Sequence, residues 1–214
     1  NSEVLLSQAH SAEDDLAHIR SLLPAFEDPR YLRSKDRPVF LVYRTSALPN
    51  PERTAEIWRA EARKHGLGEL WLGVVQSFYT EKGEPSAFGF DFAVEFAPDW
   101  DLLGNPIDPR PLQNWIDRLI RGVRAPLKDR IFDYRKCRDN ALLKKRPDYP
   151  WYRCATPAWD NSARRAEGAT ILVDSSPALY REWLLHLAQD ATESGSEFIF
   201  INAWNEWAEG NHLE

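Results

Sequence analysis

Glu206 and Glu209 stand three residues apart in the segment Asn202-Ala203-Trp204-Asn205-Glu206-Trp207-Ala208-Glu209-Gly210. If the chain turns helically there, their β-carbons lie about 5–6 Å apart on one face. Two carboxylates in one pocket resist ionising together, so one keeps its proton to higher pH than the other. A proton donor beside an ionised carboxylate is what making or cleaving a glycosidic bond requires. The neighbours suit the same substrate. Indole faces stack on the C–H surfaces of sugars, and amides bind hydroxyls. Two glutamates at this spacing are, on spacing alone, more often a solvated helix face. The apolar run Phe198 to Ile201 just before them shifts that balance, because it places the pair at the end of a buried strand.

Other apolar runs end in comparable residues. Val39 to Tyr43 ends in Tyr43-Arg44, Leu70 to Val75 leads into Gln76, and Phe90 to Phe96 carries Glu95. A weaker run, Tyr152 to Thr156, leads into Trp159-Asp160-Asn161, with Arg164 and Arg165 beyond. In α/β barrels, functional side chains sit where strands end and the following loops begin. Glu206 and Glu209 are therefore the candidate catalytic pair. Asn205, Trp207, Tyr43, Arg44, Gln76, Glu95, Trp159, Asp160 and Asn161 are the candidate substrate-binding residues. Glu95 is either a third pocket carboxylate or a paired structural one. Arg164 and Arg165 either grip a phosphate or acidic sugar, or pair with a neighbouring acid.

The elements that must position these residues alternate between strand and helix. Ser11 and Asp14 have the capping-box spacing, and Leu16, Ile19, Leu22, Leu23 and Phe26 follow helical periodicity. Asn50-Pro51 opens a helix that closes near Gly66, and Ser176-Pro177 opens another with Leu179, Trp183, Leu184 and Leu187 on one side. Residues 97–150 are rich in Pro, Asp and Arg, with helices expected around Trp115–Val123 and Lys128–Leu143. Apolar strands without a period of two belong to parallel sheets covered on both faces. No glycine-rich phosphate turn follows any of them. The expected fold is α/β, a (β/α)8 TIM-barrel type in which this chain supplies about five strands as a single domain over residues 1–214, the barrel's N-terminal strands lying outside it. Trp58, Trp71 and Trp183 are expected in the core.

Composition narrows the function. A net charge of -6 and a pI near 5.5 argue against nucleic acid as partner. No apolar run approaches the ~20 residues of a membrane span, so no integral membrane segment is expected. Two cysteines, Cys137 and Cys154, are too few for a disulfide framework and point to a reducing, cytoplasmic setting. Among the histidines there is no zinc spacing, and no Gly-x-Ser-x-Gly elbow supports an esterase. Asp99-Trp100-Asp101 fits the Asp-x-Asp pattern of metal-dependent transferases, but a match this short arises readily by chance. No metal and no cofactor are expected.

The stretch FIFINAWNEWAEGNHLE resembles the signature of the WbsX-type family, glycosyltransferase-like proteins of bacterial lipopolysaccharide and other surface-polysaccharide biosynthesis. SAEDDLAHIRSLLPAFEDPRYLR, RPVFLVYR, LWLGVVQSF, GFDFAVEF, and WDNSARR followed by SSPALYREWL extend the resemblance over nearly the whole chain, with residues 97–150 the least typical part. The family is in turn similar to the endo-α-mannosidase glycoside hydrolases, which are (β/α)8 barrels with a Glu-Trp-x-Glu segment after the last strand. That resemblance aligns Glu206 and Glu209 with the two functional carboxylates of those hydrolases. It implies chemistry through a 1,2-anhydro-sugar, one carboxylate engaging the 2-hydroxyl and the other the leaving oxygen. The chain departs from the hydrolases at Ala208, where they typically carry His. Family members also carry earlier strands, and five strands alone cannot close an eight-stranded barrel. Further segments or a second chain would complete it, which leaves a homo-oligomer open. The implied function is action on an oligosaccharide or polysaccharide in cell-surface polysaccharide biosynthesis. An endo-α-mannosidase-like hydrolase and a glycan-binding protein without turnover are the alternatives.

Overall fold

The computed structural model describes residues 10–107 and 129–213. Their strands are, in chain order, β1 Arg33–Ser34, β2 Arg37–Val42, β3 Trp71–Gln76, β4 Phe92–Glu95, β5 Arg130–Asp133, β6 Trp151–Tyr152, β7 Cys154–Ala155, β8 Trp159–Asp160, β9 Thr170–Val173, β10 Phe200–Ile201, β11 Asn205–Glu206 and β12 Asn211–His212. The helices are α1 Ala12–Glu27, α2 Pro51–Lys64, α3 Tyr134–Leu142 and α4 Pro177–Ser194. The architecture is mixed α/β, and the chain divides into two compact units. The first holds residues up to Val94 together with Pro147–Trp151, and the second holds Glu95–Arg146 and Tyr152 onward.

In the first unit the caps read from the sequence are present. Asp14 N–H donates to Ser11 Oγ at 3.1 Å, and Ser11 N–H returns a bond to the Asp14 carboxylate at 3.0 Å. Arg53 N–H donates to Asn50 Oδ1 at 2.9 Å, starting α2 at Pro51. The two helices pack together through Ile19, Phe26, Ala55 and Trp58, over Leu70 and Leu72. The sheet runs in the order β1-β2-β3-β4-β6, with β2 and β3 parallel and Val39 opposite Trp71. Gly73 is where β3 must have no side chain: a β-carbon there would lie 2.4 Å from the Phe92 ring and 2.7 Å from Leu41. Trp58 is buried as expected. Trp71 is half-buried, stacked on Phe92 at 5.2 Å with the Arg37 guanidinium 3.9 Å over its ring.

The second unit contains two more parallel pairs, β5 with β9 and β7 with β10. β8 runs antiparallel to β9, with Trp159 opposite Leu172. The core gathers Phe132, Tyr134, Trp159, Leu172, Leu179, Trp183 and Leu187. Two expectations are corrected in this unit. The helix expected over Lys128–Leu143 begins only at Tyr134, because Arg130–Asp133 is strand β5, paired residue for residue with β9. Asp133 ends that strand and caps the helix, its Oδ1 accepting Lys136 N–H at 2.9 Å. The run Tyr152–Thr156 is broken at Arg153 into β6 and β7. The helix expected at Trp115–Val123 lies outside the described residues. Cys137 and Cys154 are free and buried, and burial pushes both thiols up to about 12. No helix among the described residues is long and apolar enough to cross a membrane.

Candidate active site

The segment from β10 onward builds the site. β10 lies beside β7 with Phe200 opposite Cys154, and Asn202 N–H extends the pairing to the Ala155 carbonyl at 2.9 Å. Asn202 Nδ2 also donates to the Ala97 carbonyl at 2.7 Å, fixing the chain as it leaves the sheet. Beyond Asn202 the chain does not turn α-helically, the condition under which the spacing would put both β-carbons on one helix face. β11 and β12 form a small hairpin, Asn205 opposite His212 and Glu206 opposite Asn211, joined by a 3-10 turn over Trp207–Glu209. Glu206 is the strand residue just before that turn, and its charge acts on Glu209. Asn211 anchors the hairpin: it is fully buried, and Thr156 Oγ1 donates to its Oδ1 at 2.8 Å.

A second turn is packed against the first. β8 ends at Asp160, whose Oδ1 accepts Ser162 N–H at 2.9 Å and starts a 3-10 turn over Ser162–Arg164. Gly210 has φ +55 and sits against this segment so tightly that a β-carbon would lie 3.1 Å from the Asp160 carbonyl oxygen. Across the two turns, Arg164 Nη1 donates to Glu209 Oε1 at 2.7 Å. Partial burial raises the Glu209 carboxyl above the usual glutamate range. Arg164 opposes that shift, the Glu206 carboxylate adds to it, and Arg165 opposes it. The Glu206 carboxylate has no hydrogen-bond or ion-pair partner among the described residues. Trp204 and Trp207 hold 63% and 59% of their surface open, wide faces beside the two carboxylates in the chain. Asn205 is exposed too.

Three candidate binding residues of this unit belong instead to its interior. Glu95 is 2% exposed, with Lys144 Nζ on Oε1 at 2.9 Å, and the Arg153 guanidinium at 3.4 Å and Cys154 N–H at 3.3 Å on Oε2. Of its two expected roles, the paired structural one is what the geometry has. Trp159 is 3% exposed and packs edge-on against Trp100 at 5.0 Å, so it has no face for a sugar. The Asn161 side chain is buried and lengthens the β8–β9 ladder, its Oδ1 accepting Thr170 N–H at 2.8 Å. Asp99 is held by Lys144 and accepts Asp101 N–H at 3.1 Å, so the Asp-x-Asp pattern closes on itself. Among the described residues no cluster of three His, Cys, Asp or Glu is placed to hold a metal.

The remaining candidates lie in the first unit. Tyr43 is 49% exposed and meets the Phe78 ring edge-on at 6.0 Å, with the Arg44 guanidinium 4.9 Å over the same ring. Gln76 is fully engaged: Nε2 donates to the Gly83 carbonyl at 3.1 Å and to Tyr149 Oη at 3.0 Å, and Oε1 accepts Trp151 Nε1–H at 3.1 Å. Sequence reasoning did not single out Glu81, which is fully buried and bonded by the hydroxyls of Ser46 and Thr80. Only its position shortly after a strand end could have drawn attention to it.

The profile of the family described as "Glycosyltransferase WbsX" matches residues 1–214. The chain belongs to the WbsX family. A relative, the "Uncharacterized protein WxcX" of Xanthomonas campestris pv. campestris (strain B100), is 41% identical over 215 residues. That match covers 99% of this chain and 29% of the relative, so the WbsX-family chain spans less than a third of the curated relatives it matches. Among solved structures, a "Glycoside hydrolase-like protein" superposes with a TM-score of 0.56 at 14% identity, over 95% of this chain and 53% of the other. The GH99 endo-alpha-mannosidase from Bacteroides thetaiotaomicron gives 0.56 at 15% identity, over 97% and 53%. At such identities the likeness is one of fold. The fold of this WbsX-family chain is that of about half of a glycoside hydrolase-like chain.

Proposed function

We propose that this chain carries the carboxylate site of an enzyme that makes or breaks glycosidic bonds, with Glu209 as the acid and Glu206 as the base. One observation carries the assignment. Glu209 is held above the ordinary glutamate range, partly by burial and partly by Glu206, while the half-buried Glu206 carboxylate has no hydrogen-bond or ion-pair partner among the described residues. Environments that push two carboxyl groups apart separate proton donor from proton acceptor. In the proposed step, the Glu209 proton passes to the glycosidic oxygen as the bond from that oxygen to the anomeric carbon breaks, the electron pair staying on oxygen. Glu206 takes the proton of the hydroxyl that attacks the anomeric carbon. Trp204 and Trp207 offer stacking faces, and Asn205 and Asp160 offer hydroxyl contacts. Tyr43 and Arg44 are proposed as glycan contacts at the strand end of their own unit.

The substrate is proposed to be an oligosaccharide or polysaccharide of a bacterial cell-surface pathway, in keeping with the family's description as glycosyltransferases. The glycoside hydrolase fold supports the second reading, an endo-α-mannosidase-like hydrolase. A (β/α)8 barrel, to which this chain contributes part, is the finer fold reading supported by the same likeness. The buried free thiols support a cytoplasmic, reducing setting. The test is a panel of α-linked manno- and gluco-oligosaccharides given to the protein, with Glu206→Gln and Glu209→Gln beside it. Turnover lost in both variants is the expected result. Binding with no turnover by the unmutated protein would replace the enzyme with a glycan-binding role.

A further inference from the structure

The pair of turns holds one polar contact that the proposed chemistry does not use. Arg164 Nη1 reaches Glu209 Oε1 at 2.7 Å, although the two residues are 45 positions apart. The contact is built rather than incidental. Asp160 starts the turn that carries Arg164, and Arg164 N–H closes it on the Asn161 carbonyl at 3.1 Å. Asn161 is itself buried and bonded to β9. On the other side, Gly210 lets the backbone after Glu209 settle on Asp160. Both ends of the ion pair are therefore anchored in backbone that cannot easily drift. An exposed arginine–carboxylate pair ordinarily adds little to stability. Anchoring at both ends suits a different task, which is orientation.

We propose that Arg164 is the positioning residue of Glu209: it grips Oε1 and leaves Oε2 as the oxygen that faces substrate. This rests on the reading of Glu209 as a working carboxyl. No residue among those described bonds Oε2, so a proton carried there is free to move to a leaving oxygen. As Glu209 becomes a carboxylate, the guanidinium already touching it stabilises the new charge without rearrangement. The charged groups that act on Glu209 are Arg164, Glu206 and Arg165. Burial and Glu206 push its pKa up, and the arginines restrain that rise. Arg164 thus keeps Glu209 able both to give its proton and to take it back.

The experiment is a pH titration of the Glu209 carboxyl carbon by NMR, in protein labelled with 13C at the glutamate side-chain carboxyls. The Glu209 signal is identified by its loss in Glu209→Gln. Arg164→Gln should move the Glu209 titration to higher pH, and Arg164→Lys should bring most of it back. An unmoved titration in folded Arg164→Gln would overturn the proposal. So would a shift that Lys does not restore, because the effect would then be general loosening of the turn. A carbohydrate turnover assay runs alongside. There Arg164→Gln should lower kcat on the order of 10²-fold with little change in KM, as expected when a reacting group loses its orientation. A kcat left unchanged while KM rises would also overturn the proposal, since it would make Arg164 a substrate-binding group. If the unmutated protein turns over no glycan, the functional reading fails by itself, and the titration still decides whether Arg164 governs Glu209.

Discussion

Glu95 and Glu209 both face arginines in the second unit, yet their surroundings oppose each other. Glu95 lies at 2% exposure with Lys144 on one oxygen and Arg153 on the other. Glu209 keeps 21% of its side chain open, and its one ion-pair partner among the described residues, Arg164, is 55% open. The first arrangement engages both oxygens and closes the site to solvent. The second leaves an oxygen and a neighbouring carboxylate uncommitted. A saturated buried network holds a fold together, whereas a partly satisfied rim group can exchange a proton.

The largest consequence should appear on the buried side. Glu95→Ala takes a buried counter-charge from Arg153 and leaves Lys144 with Asp99, and removing one member of a buried charge group typically costs about 3–5 kcal/mol. Urea unfolding should register that loss. Glu209→Gln in the same assay should stay within about 1 kcal/mol of the parent, as exposed ion pairs do. Equal losses at the two positions would erase the distinction.

Gly210 tests the turn itself. Its φ of +55 and its contact with Asp160 resist any side chain. Gly210→Ala should cost roughly 1–2 kcal/mol for the left-handed backbone alone. It should also weaken the Arg164–Glu209 contact, visible as an altered Glu209 titration.

A smaller effect concerns pH. Glu209 holds its proton more tightly in the folded chain than unfolded, so that group favours folding below the ordinary glutamate range. The contribution is lost as pH rises through Glu209's own, higher pKa. Glu209→Gln should flatten this part of the stability curve, and urea midpoints measured across the acidic range would reveal a curve that instead keeps its slope. The smallest change in stability is expected at Trp207, which is 59% exposed. Trp207→Ala should leave unfolding within about 0.5 kcal/mol. Glycan affinity, measured by calorimetry, should fall by about 2- to 10-fold, the worth of one stacking contact.

Much of this contrast was legible in the residues. Ser11, Asn50 and Ser176 announce their helices because capping is local chemistry. The apolar runs at Val39, Leu70 and Phe90 announce strands covered on both faces. Arg130–Asp133 and Thr170–Val173 were hidden, since each is only four residues long and is stabilised by pairing with the other. Glu206 and Glu209 drew attention by their spacing, but that spacing did not reveal the hairpin with a 3-10 turn in which they lie. Glu95, Trp159 and Asn161 looked like pocket residues because strand-end position does not reveal side-chain direction. A strand alternates its faces, and for Glu95 partners 49 to 59 residues away decide which side is closed. Arg164 carried the reverse ambiguity, and only its meeting with Glu209 resolved it.

The pH dependence of glycan turnover, measured on the protein and on Glu209→Gln at equal folded concentration, bears most directly on the carboxylate site. Turnover should fall as pH rises through the Glu209 pKa, and Glu209→Gln should lose on the order of 10²- to 10⁴-fold with its unfolding midpoint intact. Undiminished turnover in Glu209→Gln would contradict the assignment of Glu209 as the acid and would move the chemistry away from this pair of turns.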